Sequence, residues 1–337
     1  MVTEWKVEFL EKKVKKKFFG NIKAVVIDQG ICSHCSACSA ICPVEGITSG
    51  DKPIDFPGWV KECLDCSACA KVCPRWEYQP LSGVGDYIEL TSARSSRFVG
   101  QDGAMVTEII ASALEMGVVN SALVVGRDEE WRPVVVNVRT VDQLYDERLT
   151  GSKYSFADVL PVLKRSILKV DSLAVVGTPC MVSAVRRMQR YFKKFGRVKL
   201  LIGLFCTENF YYHQLREFLA GKGVELRNVL KVDIKGEEFK VKMVDGELSF
   251  SIKELEGIVP SGCKVCQDFT SVESDVSVGS SGSKEGFSTV IVRTEIAKRV
   301  LDYIREQGYA DFDEVDLDAL NRSCDYKVKI HPYQPAE

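Results

Sequence analysis

Thirteen cysteines stand in this 337-residue chain, and eight of them fall into two copies of one spacing. Cys32, Cys35, Cys38 and Cys42, followed by Pro43, form C-x2-C-x2-C-x3-C-P. Cys63, Cys66, Cys69 and Cys73, followed by Pro74, repeat it 31 positions later, and Ser36-Ala37 is echoed by Ser67-Ala68. In such a run three thiolates on a tight loop hold one iron cube, while the fourth enters a short following helix and reaches the other cube. This assigns Cys32, Cys35, Cys38 and Cys73 to one 4Fe-4S cluster, and Cys63, Cys66, Cys69 and Cys42 to a second. The alternatives are two zinc sites or free thiols. A zinc site needs only two CxxC-type pairs, so a doubled four-Cys run closed by Pro is far more specific.

Five cysteines remain. Leu173 to Val176 reads as a short buried strand, Gly177-Thr178-Pro179-Cys180 as a turn, Met181 to Tyr191 as a helix, and Val198 to Phe205 as an apolar strand ending at Cys206. That is a βαβ crossover, which implies a partly parallel sheet. Ligands of such sheets gather outside the carboxyl ends of the strands, where Cys180 and Cys206 both fall. Cys263-x2-Cys266 adds two more thiols, so four are available for a third cubane and Cys324 is left over as an inert thiol. Spacing alone leaves the third site open. Dispersed cysteines are commonly small buried hydrophobes, and CxxC also serves as a redox pair or half a zinc site.

The elements that must position these thiols form two blocks. The doubled motif occupies the first, with an enlarged connection from Gly50 to Val60 between its halves. Small and turn residues from Leu81 to Gly85 place a boundary near residue 82. Beyond it, Ala104 to Met116 and Phe156 to Leu168 have helical spacing, and Ala122 to Val125 and Val134 to Val138 read as strands. Val229 to Lys235, Phe239 to Val244 and Glu247 to Ile252 read as a meander, with Asp245-Gly246 as a hairpin turn. Asp275 to Val278 and Thr289 to Arg293 are further strands, before a helix from Glu295 to Gln307. The expectation is a small two-cluster ferredoxin-like domain at 1–82, followed at 83–337 by an α/β domain with a mixed sheet.

Lys plus Arg is 45 and Asp plus Glu is 47, a net charge of -2, with 45% hydrophobic residues. That balance excludes a nucleic-acid grip or a disordered tail. The five lysines around Val14, between Glu11 and Lys17, read as a solvated helix face rather than as a patch that steers an acidic partner or an anionic surface. No apolar stretch approaches the ~18 residues of a membrane span. Met1 to Phe9 lacks the pattern of an export signal, so a cytoplasmic chain with reduced thiols is expected. His34, His213 and His331 are scattered, and no hydrolase constellation or G-x-G-x-x-G after a strand is present. His34, inside the first cysteine loop, is expected to tune a cluster or to face solvent.

From about residue 86 to residue 305 the chain resembles the beta subunits of the coenzyme F420 (deazaflavin) hydrogenases and dehydrogenases. The resemblance rests on Gly100-Gln101-Asp102-Gly103-Ala104, Gly151-Ser152-Lys153-Tyr154, Val176-Gly177-Thr178-Pro179-Cys180, Gly203-Leu204-Phe205-Cys206, Cys263-x2-Cys266-x-Asp268-Phe269, and Asp275 to Arg293. Ala104 stands where relatives often carry a second Gly, and Met181 where Gln is common. The resemblance implies that Cys180, Cys206, Cys263 and Cys266 hold a third 4Fe-4S cluster beside an FAD, which makes the second domain flavin-binding. It further implies FAD contacts at Gln101, Asp102, Gly103, Ala104, Thr107, Ser152, Lys153, Thr178, Pro179, Gly279, Ser280, Ser281 and Ser288. Lys153 and the amides at the helix start near Gly103 to Thr107 suit the FAD phosphates. The run Val278-Gly279-Ser280-Ser281-Gly282-Ser283-Lys284 reads by itself as a flexible turn, and the resemblance turns it into a diphosphate cradle. Arg94 and Arg293 are assigned to the acidic tail of coenzyme F420 on charge alone.

A two-cluster extension ahead of this type of chain is similar to the electron-input component of membrane-bound F420H2 dehydrogenases. The implied activity is an oxidoreductase in which hydride passes reversibly from reduced coenzyme F420 to FAD, and single electrons leave through the clusters. The acceptor would be a redox complex of the membrane dehydrogenase, heterodisulfide reductase, hydrogenase or formate dehydrogenase type, and the chain would reach the inner face of a membrane only through that partner. Two other readings keep the sequence features: a member of the same fold acting on another substrate with ferredoxin electrons, and a flavin-free electron-relay adaptor.

Overall fold

A computed structural model describes residues 19–54 and 63–333. The lysine run at 11–17 and residues 55–60 of the connection lie outside the described residues. The chain opens with a turn of helix, α1 (Phe19–Ile22), and a wider turn at Lys23–Ile27. Then come two short helices, α2 (Ala37–Ile41) and α3 (Ala68–Val72), one in each copy of the cysteine repeat. The sequence repeat is reproduced in the backbone: His34 and Asp65, and likewise Ser36 and Ser67, all take positive φ, between 54° and 63°. Non-glycine residues rarely adopt that region, so both copies use the same costly turn to wrap the chain round its thiols.

After Gly83 and Gly85, both at φ +73°, the large unit begins. In chain order its main elements are β1 (Glu89–Ser95), α4 (Met105–Glu115), β2 (Ala122–Arg127), β3 (Pro133–Val138), α5 (Val159–Ser166), β4 (Leu173–Gly177), α6 (Pro179–Tyr191), β5 (Val198–Leu204) and α7 (Tyr212–Gly221). There follow β6 (Val229–Lys235), β7 (Glu238–Met243), β8 (Gly246–Ser251), β9 (Val276–Gly279), β10 (Ser288–Val292), α8 (Glu295–Glu306), β11 (Ala310–Asp313) and α9 (Leu317–Ile330). Eight strands form one mixed sheet in the order β11-β1-β10-β9-β5-β4-β2-β3, and β6-β7-β8 form the expected separate antiparallel meander. Pairs β2–β4, β4–β5 and β5–β9 are parallel. Because β10 is antiparallel to both β9 and β1, strand β1 also runs with this set. Five strands therefore end on one edge of the sheet, at Ser95, Arg127, Gly177, Leu204 and Gly279.

The core explains the order. β4 is apolar and buried along its whole length, as a central parallel strand with helices on both faces must be. One face is covered by α4 and α8, whose Ile109, Ile110, Val300, Leu301 and Ile304 pack on Ala174, Val176, Leu200 and Val290. The other is covered by α5 and α6, and there Ala37, Ala40, Ile41, Ala68 and Val72 of the cysteine-rich unit join the same cluster as Leu160, Leu163, Val182 and Val185. The two units thus share a core. The helix expected from Phe156 to Leu168 is shorter, because Phe156 instead gives its N–H to Phe210 at 3.1 Å; Pro161 then sits in the first turn of α5, where its missing N–H costs nothing.

Candidate redox site

Two hollows lie in the first unit. Cys32, Cys35, Cys38 and Cys73 line one, and Cys42, Cys63, Cys66 and Cys69 line the other, so in each the fourth thiol comes from the opposite copy of the repeat. Burial pushes the Cys32 and Cys69 thiols up to about 12, and Cys35 and Cys38 well above the ordinary range. Backbone N–H groups work against this: His34 and Ala37 serve Cys32 and Cys35, Ala70 serves Cys69, and Arg75 and Trp76 serve Cys73. Such donors favour the thiolate, the form that binds iron.

The third group of thiols is brought together at the carboxyl edge of the large sheet. Cys180 is the second residue of α6, just beyond β4, and Cys206 follows β5, its N–H bonded to the Phe269 carbonyl at 2.9 Å. Cys263 and Cys266 close a turn held by the Cys266 N–H on the Cys263 carbonyl at 3.0 Å. All four are near enough to act on one another: Cys206 and Cys263 each feel Cys180 and Cys266, and burial drives Cys180, Cys206 and Cys263 upward. Cys266 differs. Burial would raise it as well, but Lys327 and Arg75 outweigh burial and hold it below its ordinary value. Cys324 lies apart, buried with Phe269, Ile291 and Leu320. Among the described residues no three His, Cys, Asp or Glu side chains gather round a single-ion position.

The third thiols meet the first hollow. Cys180 Sγ lies 3.9 Å from the Ser33 carbonyl, and its charge is felt at both Cys32 and Cys35. Gly262 makes this approach possible, because a Cβ there would stand 1.9 Å from the Cys32 carbonyl oxygen. Around it the units are tied together. Arg75 donates to the Gly262 carbonyl at 3.3 Å and Tyr78 to the Val265 carbonyl at 3.1 Å. Asp158 accepts from Ser36 and Ser49, Lys164 donates to the Cys42 carbonyl, and Arg187 donates to the Lys71 carbonyl. His34 does not face solvent: its ring packs against Phe156 and Tyr211 and hydrogen-bonds the Tyr211 hydroxyl at 2.8 Å.

Of the residues assigned to FAD, those at 101–107, 178–179 and 279–281 lie at or after the ends of β1, β4 and β9, Ser288 opens β10, and Ser152 and Lys153 come from the loop after β3. Gln101 bonds the Val232 carbonyl and accepts from the Ser152 N–H, so the Gly100 and Gly151 loops meet beneath β6. Asp102 is partly buried, which raises its carboxyl, with Lys231 4.0 Å away. Gly103 is obligatory: a Cβ would lie 2.3 Å from the Ala93 carbonyl, and its N–H donates to Ser288 Oγ at 3.0 Å. Ala104, at φ +55°, caps α4 in the left-handed region, which a glycine adopts at less cost; Thr107 lies in the first turn. Lys153 donates to the Leu149, Thr150 and Gly151 carbonyls, and burial, with Arg127 nearby, pushes its ammonium down to about 7. Thr178 and Pro179 start α6, with Thr178 Oγ1 3.4 Å from Cys180 Sγ. Gly279 ends β9 and Ser280 follows it, while Ser281 bonds Ser323. The start of α4, the small residues Gly103, Gly279, Ser280 and Ser281, and the buried Lys153 along this edge are of the kind that holds a diphosphate.

Arg94 and Arg293 are not brought together. They sit at opposite ends of the β1–β10 pair, Arg94 bonded to Asp311 on the edge strand and Arg293 taken up by Ser277, Thr270 and the Val84 carbonyl. Sequence reasoning passed over Arg75, Asp158, Lys231 and Lys327. Only Arg75 had a signal, its place directly after Cys73-Pro74.

Residues 90–164 and 170–318 match the N-terminal and C-terminal patterns of the coenzyme F420 hydrogenase/dehydrogenase beta subunit, and residues 24–74 match a 4Fe-4S dicluster domain. The chain is 33% identical over 86% of its length to a coenzyme F420-dependent sulfite reductase of Methanocaldococcus jannaschii, of which it spans only 48%. It is 30% identical to a component of the F(420)H(2) dehydrogenase of Methanosarcina mazei, over 84% of this chain and 85% of that one. Among solved structures, a chain of the F420-reducing [NiFe] hydrogenase complex from Methanosarcina barkeri superposes with a TM-score of 0.70 at 28% identity, covering 74% of this chain and 91% of that chain.

Proposed function

Because the chain belongs to the family of coenzyme F420 hydrogenase/dehydrogenase beta subunits and carries a 4Fe-4S dicluster domain, we propose that it is the component through which reduced coenzyme F420 feeds electrons, reversibly, into a redox complex. Residues 1–82 would form the relay and residues 83–337 the catalytic unit. When bound, FAD would supply the conversion between a hydride and single electrons, and three 4Fe-4S clusters would conduct those electrons. The observation that carries this reading is the junction at Gly262, where the third thiols lie against the first hollow.

The chain's own part is placement and charge. Cys180, Cys206, Cys263 and Cys266 would hold the inner cluster, with Cys32, Cys35, Cys38 and Cys73 and then Cys42, Cys63, Cys66 and Cys69 beyond it. Lys153 and the α4 start would hold the FAD diphosphate. Ser33, Cys35 and Arg75 are buried at the junction between the first and third sites, so charge there is less screened than at the surface. Among the described residues no helix is long and apolar enough to cross a membrane, and membrane contact would come through the partner.

The test is anaerobic purification with iron and flavin counted per chain, followed by mixing with reduced coenzyme F420 and a viologen. About twelve irons, one FAD and turnover are expected. About eight irons without flavin or turnover would leave the large unit a scaffold and overturn the reading.

A further inference from the structure

The C-terminal helix α9 runs almost wholly beyond the matched pattern, which stops at residue 318, yet it carries the most deeply buried lysine among the described residues. Lys327 is 1% exposed. Its Nζ donates to the backbone carbonyl of Cys206 and, at 2.7 Å, to that of Asp268. Four residues on, His331 closes the same surface: its ring nitrogen Nδ1 lies 3.1 Å from the Cys266 carbonyl, and its own carbonyl accepts from Gln267 at 3.2 Å. The last turn of α9 is therefore clamped to the backbone on both sides of the third thiol group. A second cation, Arg75, 3% exposed and bonded to the Gly262 carbonyl, acts on the same Cys266.

The ammonium's hydrogen-bond partners are neutral carbonyls, and burying such a charge is costly unless something anionic offsets it; the buried Asp268 carboxyl is one such neighbour and the third thiol group is the other. Four thiolates are anionic, and an iron cube bound by them gains a further negative charge on reduction. A fixed cation beside it favours the reduced form. We propose that Lys327 is a positioning residue that raises the reduction potential of the cluster held by Cys180, Cys206, Cys263 and Cys266, so that electrons arriving at the sheet edge enter it readily. This rests on the functional reading above and adds to it a residue outside those assigned to the flavin.

The experiment is a redox titration of the holoprotein followed by EPR, with iron counted on every sample. Wild type is compared with Lys327→Met, Lys327→Arg and Lys329→Met, the last removing an exposed lysine from the same helix. Lys327→Met is expected to shift the equilibrium of one cluster toward its oxidised form at least tenfold, about 59 mV lower for a one-electron couple, while Lys327→Arg restores most of it and Lys329→Met leaves it in place. A fully loaded Lys327→Met protein whose three potentials match wild type would overturn the proposal. So would a Lys327→Arg protein that shifts as far as the Met variant, because loss of packing and not of charge would then be the cause. A wild type lacking the third signal would instead bring down the functional reading itself.

Discussion

At the level of single residues, two positions decide more than their size suggests. Gly262 has no Cβ, and the Cys32 carbonyl fills the space where one would be. Gly262→Ala is expected to part the two units locally at a cost near the upper end of overpacking, about 3 kcal/mol, with iron falling below the wild-type count. Lys153 is the other. In the free protein its folded value is about 7 against an ordinary 10.5, so it is neutral in the fold and charged in the unfolded chain between those limits. The unfolded chain then binds the extra proton, and the protein gains stability as pH rises from 7 toward 10.5. A diphosphate reverses the preference, because it needs the ammonium. Flavin affinity is therefore expected to weaken as pH rises above about 7, with a proton taken up on binding. A flavin titration from pH 6.5 to 9 checks this: Lys153→Ala should lower the flavin-to-protein ratio, and Lys153→Arg should flatten the pH slope. A flat wild-type slope would remove Lys153 from the diphosphate site.

At the level of elements, what could be read in advance follows from how loudly each segment signals. β4, α6 and β5 announce themselves through uninterrupted apolar strands and a Pro-started helix, and the three-stranded meander through alternation and its Asp-Gly turn. β1 gives no such signal: Ser92 and Ser95 are buried but satisfied by Ser283 and Glu108, so polar residues occupy core positions. β11 is four residues long and half charged. α9 seats itself with little more than Leu320 and Cys324, and its buried Lys327 looks in sequence like any surface lysine. The cysteine repeat was legible because its spacing is dictated by the geometry of a cube, while the residues that flank the thiols, Arg75 and Lys327, obey no period. Cys324→Ser tests whether α9 is held as described. A hydroxyl set among Phe269, Ile291 and Leu320 is expected to cost about 1–3 kcal/mol, read as a lower denaturant midpoint at unchanged slope, with iron content untouched. Loss of iron in this variant would make Cys324 a ligand and break the grouping of the other twelve.

At the level of the whole molecule, the first unit is not a passenger. Its Ala37, Ala40, Ile41 and Val72 complete the apolar cluster over α5 and α6. A chain beginning at residue 83 would expose that face, and it is expected to aggregate where the full chain stays dispersed, measured by light scattering under identical anaerobic conditions. A dispersed, iron-binding fragment 83–337 would show instead that the large unit's core is closed without its neighbour. Asp158→Ala makes the milder comparison: two hydrogen bonds to Ser36 and Ser49 are lost while the apolar contact stays, so the units should remain together at a cost of about 1–3 kcal/mol.

The third thiol group adjoins the first and the first adjoins the second, and among the described residues the second carries the exposed cysteine. Cys66 is exposed and its neighbour Leu64 is 65% exposed, whereas Cys180, Cys206, Cys263 and Cys266 are half-buried, with Lys327 of α9 and Arg75 of the first unit packed beside them. If the sites are loaded as proposed, spoilage in air has a direction. Oxygen would reach the outermost cube first, and the signal from Cys42, Cys63, Cys66 and Cys69 would fade while the inner two persist. A preparation that has been briefly careless with air would then keep its flavin and its inner chemistry yet have lost its outlet, failing with large protein acceptors before it fails with small dyes.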